Sequence, residues 1–330
     1  MKRLLPLLLL SACATATAPE PSFPIIGSVA DVGPGILVKN AQVEDLGGEF
    51  SWSEGPVWMD EGYLLFTDVP GNAIWKFSDE DGLELWMLPS GSKDKADYTS
   101  SPGANGLFPY GEGKILVPDH GNRALYVMDV DTKEKTVLAD TFEGKRLNSP
   151  NDAVVHGSGM IYFTDPPYGL VDQDDNPTKD LDFNGVFALA PDGALSVIDR
   201  TLARPNGIAL SPDGRTLYVA NSDPSDSKFI SYPVSDDGNV GAGSLFLDVS
   251  AERESEGFGN PDGMAVATDG TLFATGPGGV WVISPEGEKL GVIRTGKPLA
   301  NVAFGDKDRK TLYMTSYDRL ARVRTRKTGL

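Results

Sequence analysis

Six polar residues recur at one place in a repeated pattern, and their types suit the binding of a hard cation. Glu54, Asn105, Asn151, Asn206, Asp262 and Asn301 each stand at the head of an apolar, strand-like run, at successive intervals of 51, 46, 55, 56 and 39 residues. Together they offer two carboxylates and four amide oxygens, with no sulfur or imidazole among them. Oxygen donors of this kind suit Ca²⁺ first, then Mg²⁺ or Mn²⁺, better than Zn²⁺ or Cu²⁺. Two negative charges match one divalent cation, whereas buried without one they would repel and one would take up a proton. A single Asn or Asp after proline is explained by turn chemistry alone. Glu54 is a poor turn residue, and its shared register with Asn151, Asn206 and Asp262 makes these four the expected ligands of one ion. Asn105 and Asn301 are expected to face the same channel without binding it.

The elements that must bring these residues together are hairpins. Between Asn148 and Gly169 the run Ala153–Val155, a Gly-containing turn and the run Ile161–Thr164 spell strand, turn, strand, with Asn151 before the first strand and Asp165 after the second. The same unit links Glu54 to Asp68, Asn105 to Asp119 and Asp262 to Gly276 at a separation of fourteen, and Asn206 to Asn221 and Asn301 to Ser316 at fifteen. Each unit is followed by a second pair of strand patterns, such as AIWKFS and LELWMLP. The period is that of a four-stranded propeller blade, so an all-β, six-bladed β-propeller is expected. The last blade is one strand short, and a strand within residues 36–50 is expected to complete it and close the ring. The first strand of a blade lines the central channel, so the six leading residues ring one mouth. Trp52, Trp58, Trp75, Trp86 and Trp281 lie on strand patterns and are expected mostly in the core between blades.

Residues 1–13, MKRLLPLLLLSAC, combine two basic residues, an apolar run too short to span a bilayer and a Leu-Ser-Ala-Cys ending. They resemble a bacterial lipoprotein leader, with Cys13 as the lipidated residue, residues 14–35 as a flexible tether and 36–330 as a single propeller. An exported protein of the bacterial cell envelope follows, lipid-anchored at Cys13 and facing the periplasm, with a soluble periplasmic or secreted form as the alternative. Cys13 is the only cysteine, so no disulfide supports the fold. The formal charge of -18 argues against nucleic acid or an anionic membrane surface as partner and favours attraction of cations.

Several motifs then resemble a known family: Glu54-Gly55-Pro56-Val57-Trp58, Pro150-Asn151-Asp152, Phe163-Thr164-Asp165-Pro166-Pro167-Tyr168-Gly169, Pro205-Asn206-Gly207 and Pro261-Asp262-Gly263-Met264. In combination they look like the gluconolactonase, regucalcin and luciferin-regenerating enzyme family, over about residues 40 to 325. The resemblance implies a six-bladed propeller that holds one divalent ion, usually calcium or zinc (Zn²⁺), and hydrolyses sugar lactones, with Glu54, Asn151, Asn206 and Asp262 as ligands. Regucalcin-like members carry a substrate-contacting arginine two residues before the equivalent of Asn151, where this chain has Ser149. Arg146 and Arg204 are the candidates to replace it.

The expected chemistry is Lewis-acid activation of a lactone carbonyl with attack of water. Asp262 is the candidate general base, with Asp165 and Asp119 as second choices, and Asn105, His120, Arg146, Asp165, Tyr168 and Arg204 are the candidate substrate contacts. His156 is expected in a solvent-exposed turn. With two histidines and no G-x-S-x-G elbow, a serine triad is not expected. The acidic loop 171–182 is a candidate rim of the mouth. A phosphotriester hydrolase on the same site and a non-catalytic cation-binding propeller are the competing readings.

Overall fold

The computed structural model describes residues 23–29, 32–93 and 99–330. Cys13, the leader and half of the expected tether lie outside the described residues. Six four-stranded antiparallel sheets follow one another around a ring. Blade 1 is built from Ser53–Met59, Tyr63–Asp68, Ala73–Ser78 and Gly82–Met87. Blade 2 uses Phe108–Pro109, Lys114–Asp119, Ala124–Asp129 and Lys135–Ala139, and blade 3 uses Ala153–Val155, Ile161–Asp165, Gly185–Leu189 and Leu195–Asp199. Blade 4 uses Pro205–Leu210, Thr216–Asn221, Lys228–Pro233 and Ser244–Asp248, and blade 5 uses Met264–Val266, Leu272–Gly276, Gly279–Ile283 and Lys289–Ile293.

The sixth blade has the composition expected of it. Asn301–Gly305, Thr311–Ser316 and Arg319–Arg324 are completed by Glu44–Gly47 from the other end of the chain. Asp45 pairs with Ala321 in register, and the side chains of Arg319 and Arg322 form ion pairs with Asp45 and Glu44 across the junction. The borrowed strand covers the outer edge of Arg319–Arg324, which would otherwise be open to pairing with another chain.

Each blade buries one face against each neighbour because its strands alternate about apolar positions. The core is accordingly divided into six clusters, one per interface. Val57, Leu65, Ile115, Val117 and Met128 fill the gap between blades 1 and 2, and Phe163 stacks on Phe187 at 5.3 Å in the cluster shared by blades 2 and 3. Trp281 is buried between blades 4 and 5, and Trp58 and Trp75 pack beside the cluster joining blades 6 and 1.

Residues 23–29 and 32–35 correct part of the expected tether. Phe23 packs edge-on against Phe77, Ile26 N donates to Val43 O and Gly33 N to Leu290 O, so this stretch is laid on the propeller. Two apolar side chains and a run of backbone bonds suffice to hold it there, a pattern that its Pro- and Gly-rich composition conceals.

Candidate active site

At one mouth of the channel lies a cavity of about 590 Å³. Glu54, Asn105, His120, Asn151, Asn206, Asp262 and Tyr168 line it, so five of the six leading residues meet there. Asn301 is placed lower. Its Nδ2 is 3.3 Å from both oxygens of Asp152, and its own Oδ1 accepts from Val302 N at 2.8 Å.

Neighbouring leading residues approach one another through glycines. Gly55 has φ +46°, and a Cβ there would lie 2.2 Å from the carbonyl oxygen of Asn105. A Cβ on Gly207 would lie 2.1 Å from the carbonyl oxygen of Asp262. The Glu-Gly and Asn-Gly pairs are therefore packing requirements at the places where blades converge on the channel. Threonines on the second strands tie the blades together at the same level: Thr67 Oγ1 donates to Asn105 O at 2.9 Å and Thr164 Oγ1 to Asn206 O at 2.7 Å.

Side-chain partners then set which atoms face the cavity. Nδ2 of Asn206 donates to Ser222 Oγ at 2.9 Å, which leaves its Oδ1 as the atom without a hydrogen-bond partner. His120 Nε2 stands 3.1 Å from Nδ2 of Asn105 and 3.5 Å from Nδ2 of Asn151. An amide nitrogen can only donate, so Nε2 accepts and the ring proton is on Nδ1. Burial lowers the His120 pKa to about 3, which keeps the ring neutral and in that accepting role.

The electrostatics are those of a site built for positive charge. Burial raises Glu54 to about 7, against hydrogen bonds from Gly55, Trp52 and Asn301. Asp262 and Asp152 are pushed well above the usual carboxylate range, first by burial and then by the charge of Glu54. Asn105 Oδ1, Asn206 Oδ1 and Asp262 Oδ1 are buried and have no hydrogen-bond partner. Orphaned oxygens beside mutually repelling carboxylates fit a hard divalent cation. Among the described residues no three carboxylates, imidazoles or thiols stand together as a metal-holding group, so any such ion relies on the amide oxygens as well.

Four expectations for site residues change. Asp165 is fully buried outside the cavity, where its two oxygens accept from Asn148 N and Ser149 N at 2.7 Å each. It clamps the segment that carries Asn151 and has no free oxygen for substrate. Asp119 does the same for its own turn, accepting from Asn122 N and pairing with Lys135. Arg146 is exposed on a small hairpin outside the cavity, its Nη2 directed to Asn122 O at 3.4 Å. Arg204 points to the rim, where it pairs with Asp174 at 2.5 Å. That pair and residues 171–175, the first part of the acidic loop, wall a groove of about 550 Å³ that shares Tyr168 with the main cavity.

Other residues were not legible as site residues. Trp52 lines the cavity rather than the core and directs Nε1 to Glu54 Oε1 at 3.4 Å. Ser222, Phe258 and Asn260 line it too, without a signal in the sequence, while Asp152 lies outside the lining against Asn301, within reach of the charge of Glu54, and its signal was that it directly follows Asn151. His156 is buried rather than exposed, its Nδ1 bonded to Ser158, at the far end of the channel from the cavity.

Comparison with known proteins agrees with this architecture. Residues 52–318 match the SMP-30/Gluconolactonase/LRE-like region. The chain is 40% identical to a gluconolactonase of Zymomonas mobilis over 92% of its own length and 88% of that protein's. It is 36% identical to a 6-deoxy-6-sulfogluconolactonase of Pseudomonas putida over 80% of this chain and 82% of the other. Among solved structures, a gluconolactonase of Xanthomonas campestris superposes with a TM-score of 0.74 at 28% identity, covering 92% of this chain and 98% of that one. The chain belongs to the SMP-30/gluconolactonase/LRE-like family.

Proposed function

We propose that this protein is a lactonase that opens a sugar lactone of the gluconolactone type in a reaction dependent on a divalent cation. The observation that carries the reading is the cluster of orphaned oxygens of Asn105, Asn206 and Asp262 beside Glu54 in one cavity. Glu54, Asn151, Asn206 and Asp262 would hold the ion, with Ca²⁺ favoured by the all-oxygen donor set. When bound, a divalent cation supplies Lewis-acid polarisation of the lactone carbonyl.

The residues of the chain do the rest. Water attacks the carbonyl carbon, the ring C–O bond breaks, and the proton lost by water passes through Asp262 to the leaving ring oxygen, giving a hydroxy acid. Asp262 stands on the cavity wall, where a carboxylate beside the attacking water can take its proton and return it to the leaving oxygen. Asn105 and Tyr168, on the cavity wall, are the proposed contacts to substrate oxygens. General-base help of this kind is worth roughly 10²- to 10⁴-fold.

The test is acid release from glucono-1,5-lactone in a pH-stat, corrected for spontaneous opening, with protein stripped by chelator and resupplied with Ca²⁺, Mg²⁺, Mn²⁺ or Zn²⁺. Activity lost with the chelator and restored by one ion is the expected result. Turnover of phosphotriesters but not lactones would move the assignment to that chemistry, and a folded protein that binds the ion without turnover would be a binding propeller. The leader-like residues 1–13 support an exported, lipid-anchored protein, for which the check is incorporation of labelled fatty acid that Cys13→Ala abolishes.

A further inference from the structure

Phe258 is the most exposed large hydrophobic side chain among the described residues, at 75%, and it stands on the wall of the candidate active-site cavity. It is not carried on a loose loop. Gly278 N donates to Phe258 O at 2.7 Å, and the preceding turn is tied down by Glu256, which pairs with Lys289 and Arg294. Gly257 and Gly259 on either side have φ of +101° and +106°, a backbone that L side chains rarely adopt, and so the chain is bent to present the ring outward.

The rest of the cavity explains what such a ring could meet. Trp52, Val69, Pro70, Pro298 and Leu299 make other parts of the wall apolar, while Glu54, Asn151, Asn206 and Asp262 supply the polar groups. A pocket of this composition fits a ligand with a hydrocarbon face and a set of oxygens. A polyhydroxylated lactone ring is such a molecule: its C–H bonds form one face and its carbonyl and hydroxyls project from the edge. We propose that Phe258 is a substrate-positioning residue, its ring covering the C–H face of a polyhydroxylated lactone at the cavity mouth. This inference rests on the lactonase reading above.

The test compares Phe258→Ala with Phe258→Trp, exposed positions at which neither change removes core packing. Lactone hydrolysis gives kcat and KM for glucono-1,5-lactone and for unsubstituted γ-butyrolactone, and calorimetry gives the affinity for gluconolactam, which resists opening. Phe258→Ala is expected to raise KM for the sugar lactone about tenfold with kcat within twofold, to leave the small lactone nearly unchanged, and to weaken lactam binding by a similar factor. Phe258→Trp is expected to restore both. Unchanged KM and lactam affinity in Phe258→Ala, or equal losses for both lactones, would overturn the proposal. If the wild type opened no lactone, the activity reading would fall by itself. Lactam binding weakened in Phe258→Ala and regained in Phe258→Trp would then still uphold the role of the ring, and equal or absent lactam binding would end it.

Discussion

Each polar side chain at the channel mouth is set by what its other atoms touch. His120 shows this most directly, since a single neutral nitrogen faces the amides of Asn105 and Asn151. Its replacement by alanine frees both amides to rotate, and the expected outcome is a loss of about 10- to 100-fold in cation affinity, the usual cost of removing an outer-shell partner, measured by calorimetry on stripped protein. Asp262→Asn is expected to lower lactone turnover by at least about 10²-fold while the circular dichroism spectrum is unchanged. Asp165 makes a different prediction. Burial raises it from 3.8 to about 7, so its neutral form is favoured in the folded protein, and the stability it contributes is full below about pH 4 and is lost as pH rises through about 7. At about 1.4 kcal/mol per pH unit, this interval of 7 minus 3.8 bounds the change at about 4 kcal/mol. The stability advantage of wild type over Asp165→Asn, from denaturant melts, should therefore shrink between pH 4.5 and pH 7.5. The types and register of Glu54, Asn151, Asn206 and Asp262 were legible because a channel-facing polar residue repeats with the blade. Asp165 misled because its type suits catalysis as well as it suits clamping a loop, and only its partners decide between them.

Strands and turns carried the clearest message in the sequence. Alternation of apolar residues and the Gly-containing turns between them are local properties, and the hairpins of blades 3 and 4 follow from them directly. The connections between blades were not legible in the same way. Phe258 and Asn260 reach the cavity from the link between blades 4 and 5, and Trp52 from the entry to blade 1, where no period governs which way a side chain turns. Glycines mark the places where elements crowd together. Gly207→Ala would put a methyl group 2.1 Å from the carbonyl oxygen of Asp262, so the first strand of blade 4 and the head of blade 5 must part. A destabilisation of about 1 to 3 kcal/mol is expected, the range for overpacking, together with weakened cation binding. Equal melting temperatures for Gly207→Ala and wild type would show that the two blades are free to separate there.

Over the whole molecule, the six interfaces share one architecture but not one connection. Five blades complete their sheets within a single stretch of chain, whereas the sixth borrows Glu44–Gly47. Removing residues 1–47 takes away that strand together with its ion pairs to Arg319 and Arg322, and leaves Arg319–Arg324 as a bare edge. The shortened protein is expected to self-associate on size exclusion and to unfold at lower denaturant than the full chain.

The same borrowed strand imposes an order of events on synthesis. The segment around Asp45 leaves the ribosome well before its partner Ala321, with the strands of the first five blades made in between. Early blades can stack as they emerge, but the circle stays open and its first strand stays without a mate until Arg319–Arg324 has been made. A nascent chain that lacks the sixth blade thus has no closed native form to settle into, and emergence of Arg319–Arg324 is itself the step that permits the final fold.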